Sequence, residues 1–560
     1  MLAARDLASY RCAGLRRSCY WRRPAARSWG RATNGDNPRR FSPTSVLERA
    51  PGAFATAESF YVAGVGAEAA GNPACIDYYF AAANASWPQH AAGVVCAEVR
   101  ASELYRSAVQ QLITSSTRFG RFNPTQGVLL ASGQLIPVSY HGFVWQPADF
   151  HTLLPVGAYS SPHITKRYVN GGIGVPYVVL TGNAPNRPFI KCGQPFAATA
   201  VLRPSCTPAR NVFSLEFYDP LRINTTDTGL PLARDLTAPL AYAASREGDA
   251  WLQSFLRPDR DESADGLHMR EPFQPGKIPI VFVHGLAADP QTWSHLENEL
   301  RAHPMLFARY QFWMFRYDTG EPFLSSAALL RRHLAALRQT YDPLRMDPNL
   351  SRTVLLGHSM GGLVSKLQVT NSGDMLWQSA ATRPFDTICT DPATRADLAR
   401  AFFFTPSPDI TRVIYIATPH CGSIYAQRCV GRISSALVED PAQWQARHDQ
   451  LVRDNPGAFR QELNRGVPTS VDLLEPTSQI LQATTRICYR PYVRLHSIIG
   501  TGRQTLGEGP SDGVVPVSSA RLPGVQSELF VVAEHTEIQR RPETSCEVMR
   551  ILAEHVAVGP

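Results

Sequence analysis

The chain has 560 residues, 44% hydrophobic and 18% charged, a composition that excludes a disordered protein and a length that suggests two or more domains. The net charge of +8 would suggest a nucleic-acid partner, but residues 1–40 carry ten Arg and no Lys against Asp6 and Asp36, and this accounts for all of it. The remainder is neutral, so no nucleic-acid partner is expected.

Residues 1–45 form an Arg-rich leader, with Arg11, Arg16, Arg17, Arg22 and Arg23 among its cations. It lacks the apolar stretch of a secretory signal and reads as a disordered tail or an upstream start, with a transit peptide as the other reading. Cytoplasmic and exported locations both stay open. No run of about eighteen apolar residues occurs, so no membrane span is expected. The eleven cysteines include no Cys-x-x-Cys pattern. Cys192 with Cys206, and Cys421 with Cys429, are close enough in sequence to bridge in an oxidising compartment; free thiols are the alternative.

Residues 46–256 are expected to form an α+β region of unassigned role and with no assigned partner. Its first part is Ala-rich and helical: Leu104, Ala108, Gln111 and Leu112 stand at helical spacing. From about 127 the pattern changes to short β-type runs, among them Ile136–Tyr140, Val175–Leu180, Ala197–Leu202 and Val212–Tyr218. Gly171-Gly172-Ile173-Gly174 reads as a turn rather than a dinucleotide loop, because no long helix follows. Residues 257–277, rich in Pro, Asp and Glu, read as a polar linker.

From 278 to 560 strands and helices alternate, which predicts a mostly parallel, doubly wound α/β sheet. The apolar run Ile278–Val283 reads as a strand buried on both faces, and strands are expected at 310–317, 353–356, 413–417, 495–500 and 528–533. Within this pattern Gly357-His358-Ser359-Met360-Gly361 follows a strand and opens a helix. That context is what a nucleophile elbow requires. Ser359 is the candidate nucleophile and His535, after the last strand, the candidate base. Asp512, in an Asp-Gly turn, is the candidate acid, with Glu508 and Glu534 as competitors. The backbone N–H groups of Leu286 and Met360 are the candidate oxyanion hole. His284 and His358 are expected to be structural, and His420 and His496 to lie in the core or at its rim. No metal or cofactor motif is found.

These pieces resemble the lipases and esterases of the α/β-hydrolase fold, most nearly the bacterial lipase-like group and the related glycosylphosphatidylinositol inositol-deacylases. The matching stretches are His284-Gly285-Leu286, Gly357 to Gly362, Ala417-Thr418-Pro419-His420, Ser511 to Pro516 and Glu534-His535-Thr536. They come in the family's order and say nothing about residues 1–270. The resemblance implies an α/β-hydrolase body with helical cap insertions near 365–410 and 424–490, acting on a small-molecule or lipid-like carboxylic ester. An acyltransferase with the same triad, and a non-catalytic interaction protein on a hydrolase scaffold, are the alternatives. Apolar residues in the insertions, such as Trp377, Phe402 and Leu473, would serve either as a lid over an acyl chain or as packing onto the body.

Overall fold

The computed structural model describes residues 53–558, apart from 97–98, 158, 160, 162–163, 184–186, 205–212, 246–264, 287, 289, 424–441, 467 and 506–508. The Arg-rich leader, Cys206, Cys429 and Glu508 therefore lie outside the described residues. Cys75, Cys192, Cys389, Cys421, Cys488 and Cys546 are free thiols.

Three helices open the described chain: α1 (Ala53–Ala69), α2 (Cys75–Cys96) and α3 (Val99–Arg118). They cover a mixed sheet of β1 (Phe122–Asn123), β2 (Gly127–Leu129), β3 (Leu135–His141), β4 (Thr152–Pro155), β5 (Val175–Leu180), β6 (Pro195–Pro204) and β7 (Phe213–Tyr218). The strand order is β1-β2-β3-β7-β6-β5-β4, antiparallel except for β3 beside β7. Tyr79, Tyr105, Leu112 and Ile113 from the helices meet Tyr177, Phe196, Leu215 and Phe217 from the strands in one core. Polar ties fix the helices to the sheet. The Tyr105 hydroxyl donates to the Leu202 carbonyl at 2.7 Å, and the Asp77 carboxylate accepts the N–H groups of Ala131 and Ser132 at 2.6 and 3.0 Å.

The second sheet contains β8 (Gly266–Met269), β9 (Ile278–Val283), β10 (Tyr310–Arg316), β11 (Thr353–His358), β12 (Ile410–Ile416), β13 (Arg494–Gly500) and β14 (Ser527–Val531). Their order is β8-β10-β9-β11-β12-β13-β14, and all are parallel except the edge strand β8. Alternation along β9 sends Val281 and Val283 to one face and Ile280 and Phe282 to the other, and both faces are buried. Helices α5 (Phe323–Tyr341) and α6 (Met360–Lys366) cover the first face; α4 (Ser294–Ala302) and α7 (Pro542–Ala557) cover the second. This is an α/β-hydrolase sheet with a mixed helical and β region before it, as the alternation of elements predicts.

The stretch read as a linker differs from expectation. Residues 257–264 lie outside the described residues, but 266–269 form the edge strand β8, and Glu271 and Gln274 are buried. The charge and proline content that suggested solvent is satisfied internally. Arg222 donates to both Glu271 oxygens at 3.0 Å and to the Gln274 side-chain oxygen at 2.8 Å. Further bonds cross between the two regions. Tyr168 donates to Glu299 at 2.7 Å, Asn298 donates to the Lys166 carbonyl at 2.9 Å, and Met269 N–H reaches the Phe189 carbonyl at 2.8 Å. The Phe189 ring sits in the same core cluster as Trp313 and Phe315.

The insertions also pack. Trp377 lies 5.0 Å from Phe385 and 5.4 Å from Phe402 between ring centroids, edge to face, and all belong to or abut the core under α6. Leu473, Leu474 and Ile480 join that core too. Ile433 and Leu437 lie outside the described residues. Among the described residues no helix is long and apolar enough to cross a membrane.

A chain beginning at residue 270 loses β8, Phe189 and the Arg222 contacts that neutralise buried Glu271. It is expected to be insoluble, or to melt well below the full chain, which itself is expected to unfold in one transition. Solubility and scanning calorimetry check this; a soluble truncated chain melting at the full chain's temperature would contradict it.

Candidate active site

The turn from β11 into α6 is set by sterics. Ser359 has φ of 52°, a left-handed conformation that a residue with a side chain rarely adopts. Its neighbours make room for the turn. A Cβ on Gly357 would lie 2.6 Å from the Gly361 carbonyl oxygen and the Gly362 Cα, and one on Gly361 would run into the carbonyl oxygens of Val283 and His284. The strand before Ser359 can therefore lie against its own helix only with glycine at 357, and that helix can lie against the end of β9 only with glycine at 361. The Ser359 N–H is held by the Ile416 carbonyl of the adjacent strand at 2.9 Å.

The three side chains singled out from the sequence come together at this turn. His535 Nε2 lies 2.9 Å from Ser359 Oγ, and His535 Nδ1 lies 2.7 Å from Asp512 Oδ2. The tautomer consistent with both contacts has Nδ1–H donating to the carboxylate and Nε2 accepting from the serine hydroxyl. Asp512 is 2% exposed. Its Oδ1 accepts the N–H groups of Val514 and Val515 at 2.9 and 2.7 Å, and the N–H of His535 donates back to the Asp512 carbonyl at 3.0 Å. Burial alone would raise the Asp512 carboxyl, but the His535 ring and these two N–H donors outweigh it and hold the group below the usual carboxylate range. Glu534, a competitor for the acid, is instead bonded to Arg503 at 2.6 Å and is half exposed.

Leu286 follows Gly285, whose position is so close to the elbow that an added Cβ would lie 2.9 Å from Ser359 Cβ. Met360 is the first residue of α6, where backbone N–H groups have no partner inside the helix. The two candidate oxyanion donors thus belong to segments that meet at Ser359.

His358 is structural in a way the sequence does not disclose. Its Nε2 is 3.0 Å from the His535 carbonyl oxygen, so it donates there and pins the backbone of the base. Its ring stands edge-on to Trp293. The cue in the sequence is only its place next to the serine. His284 stacks on Tyr317 with centroids 4.4 Å apart. His496 accepts from Arg412 at 2.7 Å, and His420 lies buried in the loop after β12, so both are core residues as expected.

A mostly parallel sheet, wound on both sides, with a serine in a left-handed turn after its fourth strand in chain order, defines the α/β-hydrolase fold. Residues 280–516 match the family model described as the alpha/beta hydrolase family. No curated protein matches the chain. Among solved structures the chain is similar to the mature lipase BlEst2 of Bacillus licheniformis, at 20% identity over 51% of this chain and 97% of that one, with a TM-score of 0.31. It is also similar to the Staphylococcus hyicus lipase (14% identity, 51% and 96% covered, TM-score 0.30). Phospholipase PlaB of Legionella pneumophila is a third (19% identity, 44% and 46% covered, TM-score 0.27). Identities and TM-scores this low carry no argument about this chain's activity.

The buried histidines make a pH dependence. Burial lowers His284 and His496 from 6.5 to about 4, and His358 and His555 from 6.5 to about 3. The unfolded chain binds more protons than the folded one between those values and 6.5, so stability rises with pH across that window. It is complete above the unfolded value and is lost as pH falls toward the folded ones; Asp512, with its lowered carboxyl, acts in the same direction. Urea unfolding at steps between about pH 4 and about pH 7 is expected to show a steep loss of stability on the acid side. A flat profile would refute the neutral, buried state of these rings.

Proposed function

We propose that the protein is a serine hydrolase of carboxylic esters, working through Ser359, His535 and Asp512. The observation that carries this reading is the unbroken relay from the Asp512 carboxylate through the imidazole to the serine hydroxyl, with contacts of 2.7 and 2.9 Å. An isolated serine hydroxyl is a weak nucleophile; a base within hydrogen-bond reach activates it.

In this reading Ser359 Oγ attacks the ester carbonyl while its proton passes to His535 Nε2. The imidazolium that forms faces the ionised Asp512, which stabilises it and keeps the ring in the required orientation. The oxygen that gains charge is received by the N–H groups of Leu286 and Met360, each such donor contributing about 3–4 kcal/mol to transition-state stabilisation. His535 then returns the proton to the departing alcohol, leaving an acyl-serine. Water enters and attacks the acyl carbon while the same ring takes its proton; the acyl–Oγ bond then breaks, the ring returns that proton to Ser359 Oγ, and the acid leaves. Every proton has a carrier, and the relay needs protein groups alone.

The substrate class is a small-molecule or lipid-like ester. The body from 278 to 560 carries the chemistry in this proposal, with 46–256 as a region bonded to it that shapes or supports the site. Where the acceptor is an added alcohol rather than water, the same intermediate gives acyl transfer, and product analysis with such an acceptor separates the two outcomes.

Ser359→Ala is expected to abolish hydrolysis of p-nitrophenyl esters and labelling by a phosphonate while leaving the melting temperature near that of the wild type. Unchanged turnover would remove the serine from the mechanism. Asp512→Asn is expected to keep KM but lose about 10⁴ in kcat, since the ring can then take the wrong tautomer. Glu534→Gln is expected to stay near wild type; collapse in that variant with normal turnover in Asp512→Asn would reassign the acid.

A further inference from the structure

Behind the elbow, on the face of the sheet covered by α6, lies a second group of polar side chains that the proposed relay does not use. Lys366 ends α6 and is only 1% exposed. His420, in the loop after β12, is equally buried, and both its ring nitrogens lack a hydrogen-bond partner among the described residues. Tyr415 on β12 and Ser497 on β13 are register neighbours. Tyr489 comes from the short strand Cys488–Tyr489. The buried hydroxyl of Ser497 also has no partner among the described residues, and those of Tyr415 and Tyr489 have none but each other.

The group is contiguous. The rings of Tyr415 and His420 are perpendicular, with centroids 4.8 Å apart. Lys366 Nζ lies 5.6 Å from the centre of the Tyr489 ring. The two phenol hydroxyls share a side-chain hydrogen bond, and His420 is within electrostatic reach of Lys366.

Its charge is one-sided. Burial lowers the Lys366 ammonium from 10.5 to about 8, and its one named electrostatic neighbour is the thiol of Cys421. His420 is pushed well below its ordinary value, first by burial and then by Lys366, so it is neutral. Among the described residues no carboxylate faces either group. A buried ammonium without a counter-charge is strongly disfavoured, and buried donors without acceptors are rare in folded proteins. Water would satisfy the donors and leave the charge uncompensated. A single negative ion answers both demands.

We propose that Lys366, His420, Tyr415, Tyr489 and Ser497 form a buried site for one small monovalent anion of halide type. The set offers an ammonium, the Ser497 hydroxyl, the one phenol O–H that the Tyr415–Tyr489 bond leaves free and one imidazole N–H, and it holds no acceptor-only group that would repel the ion. One cation matches one negative charge, so a multiply charged oxyanion would be left uncompensated. The bound ion anchors the end of α6, the helix that starts directly after Ser359, and it takes no part in the ester chemistry. The proposal stands whether or not the ester reading does.

The test uses the full chain at fixed pH and ionic strength in sodium chloride, sodium bromide and sodium gluconate. The melting temperature is expected to be several degrees higher in the halides, with a saturable dependence on halide concentration. Lys366→Met is expected to melt alike in all three salts, and Tyr489→Phe to need about tenfold more halide for the same gain, as one hydrogen bond to a charged group is lost. Crystals grown in bromide are expected to show an anomalous peak within hydrogen-bond reach of Lys366 Nζ. Equal melting in halide and gluconate overturns the proposal, as does a halide response that Lys366→Met retains. Should Lys366→Met fail to fold, the wild-type bromide map decides, and the lack of a peak there overturns it.

Discussion

The positive φ at Ser359 is the constraint on which the rest of the site depends. A left-handed backbone at a residue with a side chain costs about 1–3 kcal/mol and persists only where the surroundings leave no alternative. Here they are crowded on every side. Gly357 lies against Gly361 and Gly362, Gly361 lies against the ends of β9, and Thr418 packs on Gly362. The strand, the helix and the loop after β9 are therefore held at backbone contact distance. That closeness brings the loop at Gly285 against Ser359 and puts the serine hydroxyl within reach of a ring that arrives 176 residues later in the chain.

His535 and Asp512 are placed by the opposite edge of the sheet. β13 and β14 run parallel beside β12, so the loops that follow them open on the same end as the elbow. Gly500 lets the Asp512 loop fold back over the strand end, where an added Cβ would lie 2.6 Å from that of Asp512. The backbone exchange between His535 N–H and the Asp512 carbonyl, together with the His358 bond to the His535 carbonyl, fixes the base at both of its main-chain polar groups. The geometry of the relay is thus a property of the backbone as much as of the three side chains.

Much of this was legible beforehand. The continuous apolar runs at 278–283, 310–317 and 353–356 read as buried strands, and the structure has strands at 278–283, 310–316 and 353–358; the order of Ser359, Asp512 and His535 was read from the elbow. The linker was not legible. Asp, Glu and Pro read as solvent-facing, yet Glu271 is neutralised by Arg222, a partner 49 residues earlier that no local pattern connects to it. His358 was read as structural, but its acceptor, a carbonyl far along the chain, was hidden for a similar reason. The aromatic residues of the insertions were ambiguous because lid and core use the same side chains; Trp377 and Phe402 are core. Local pattern reports which residues must be buried and is silent on which distant residue buries them.

The place of Phe189 in the core of the second sheet also has a consequence for how the chain is made. The ring leaves the ribosome before any strand of that sheet exists, and it finds Trp313 and Phe315 only more than a hundred residues later. Arg222 likewise waits for Glu271. At the usual rate of synthesis, about 5–20 residues per second, the Phe189 ring waits several seconds without its cover, and Arg222 has only its near neighbour Asp219 to pair with. During that interval the protein is most open to misassociation, and a chaperone that covers the Phe189 surface would act then rather than on the finished fold.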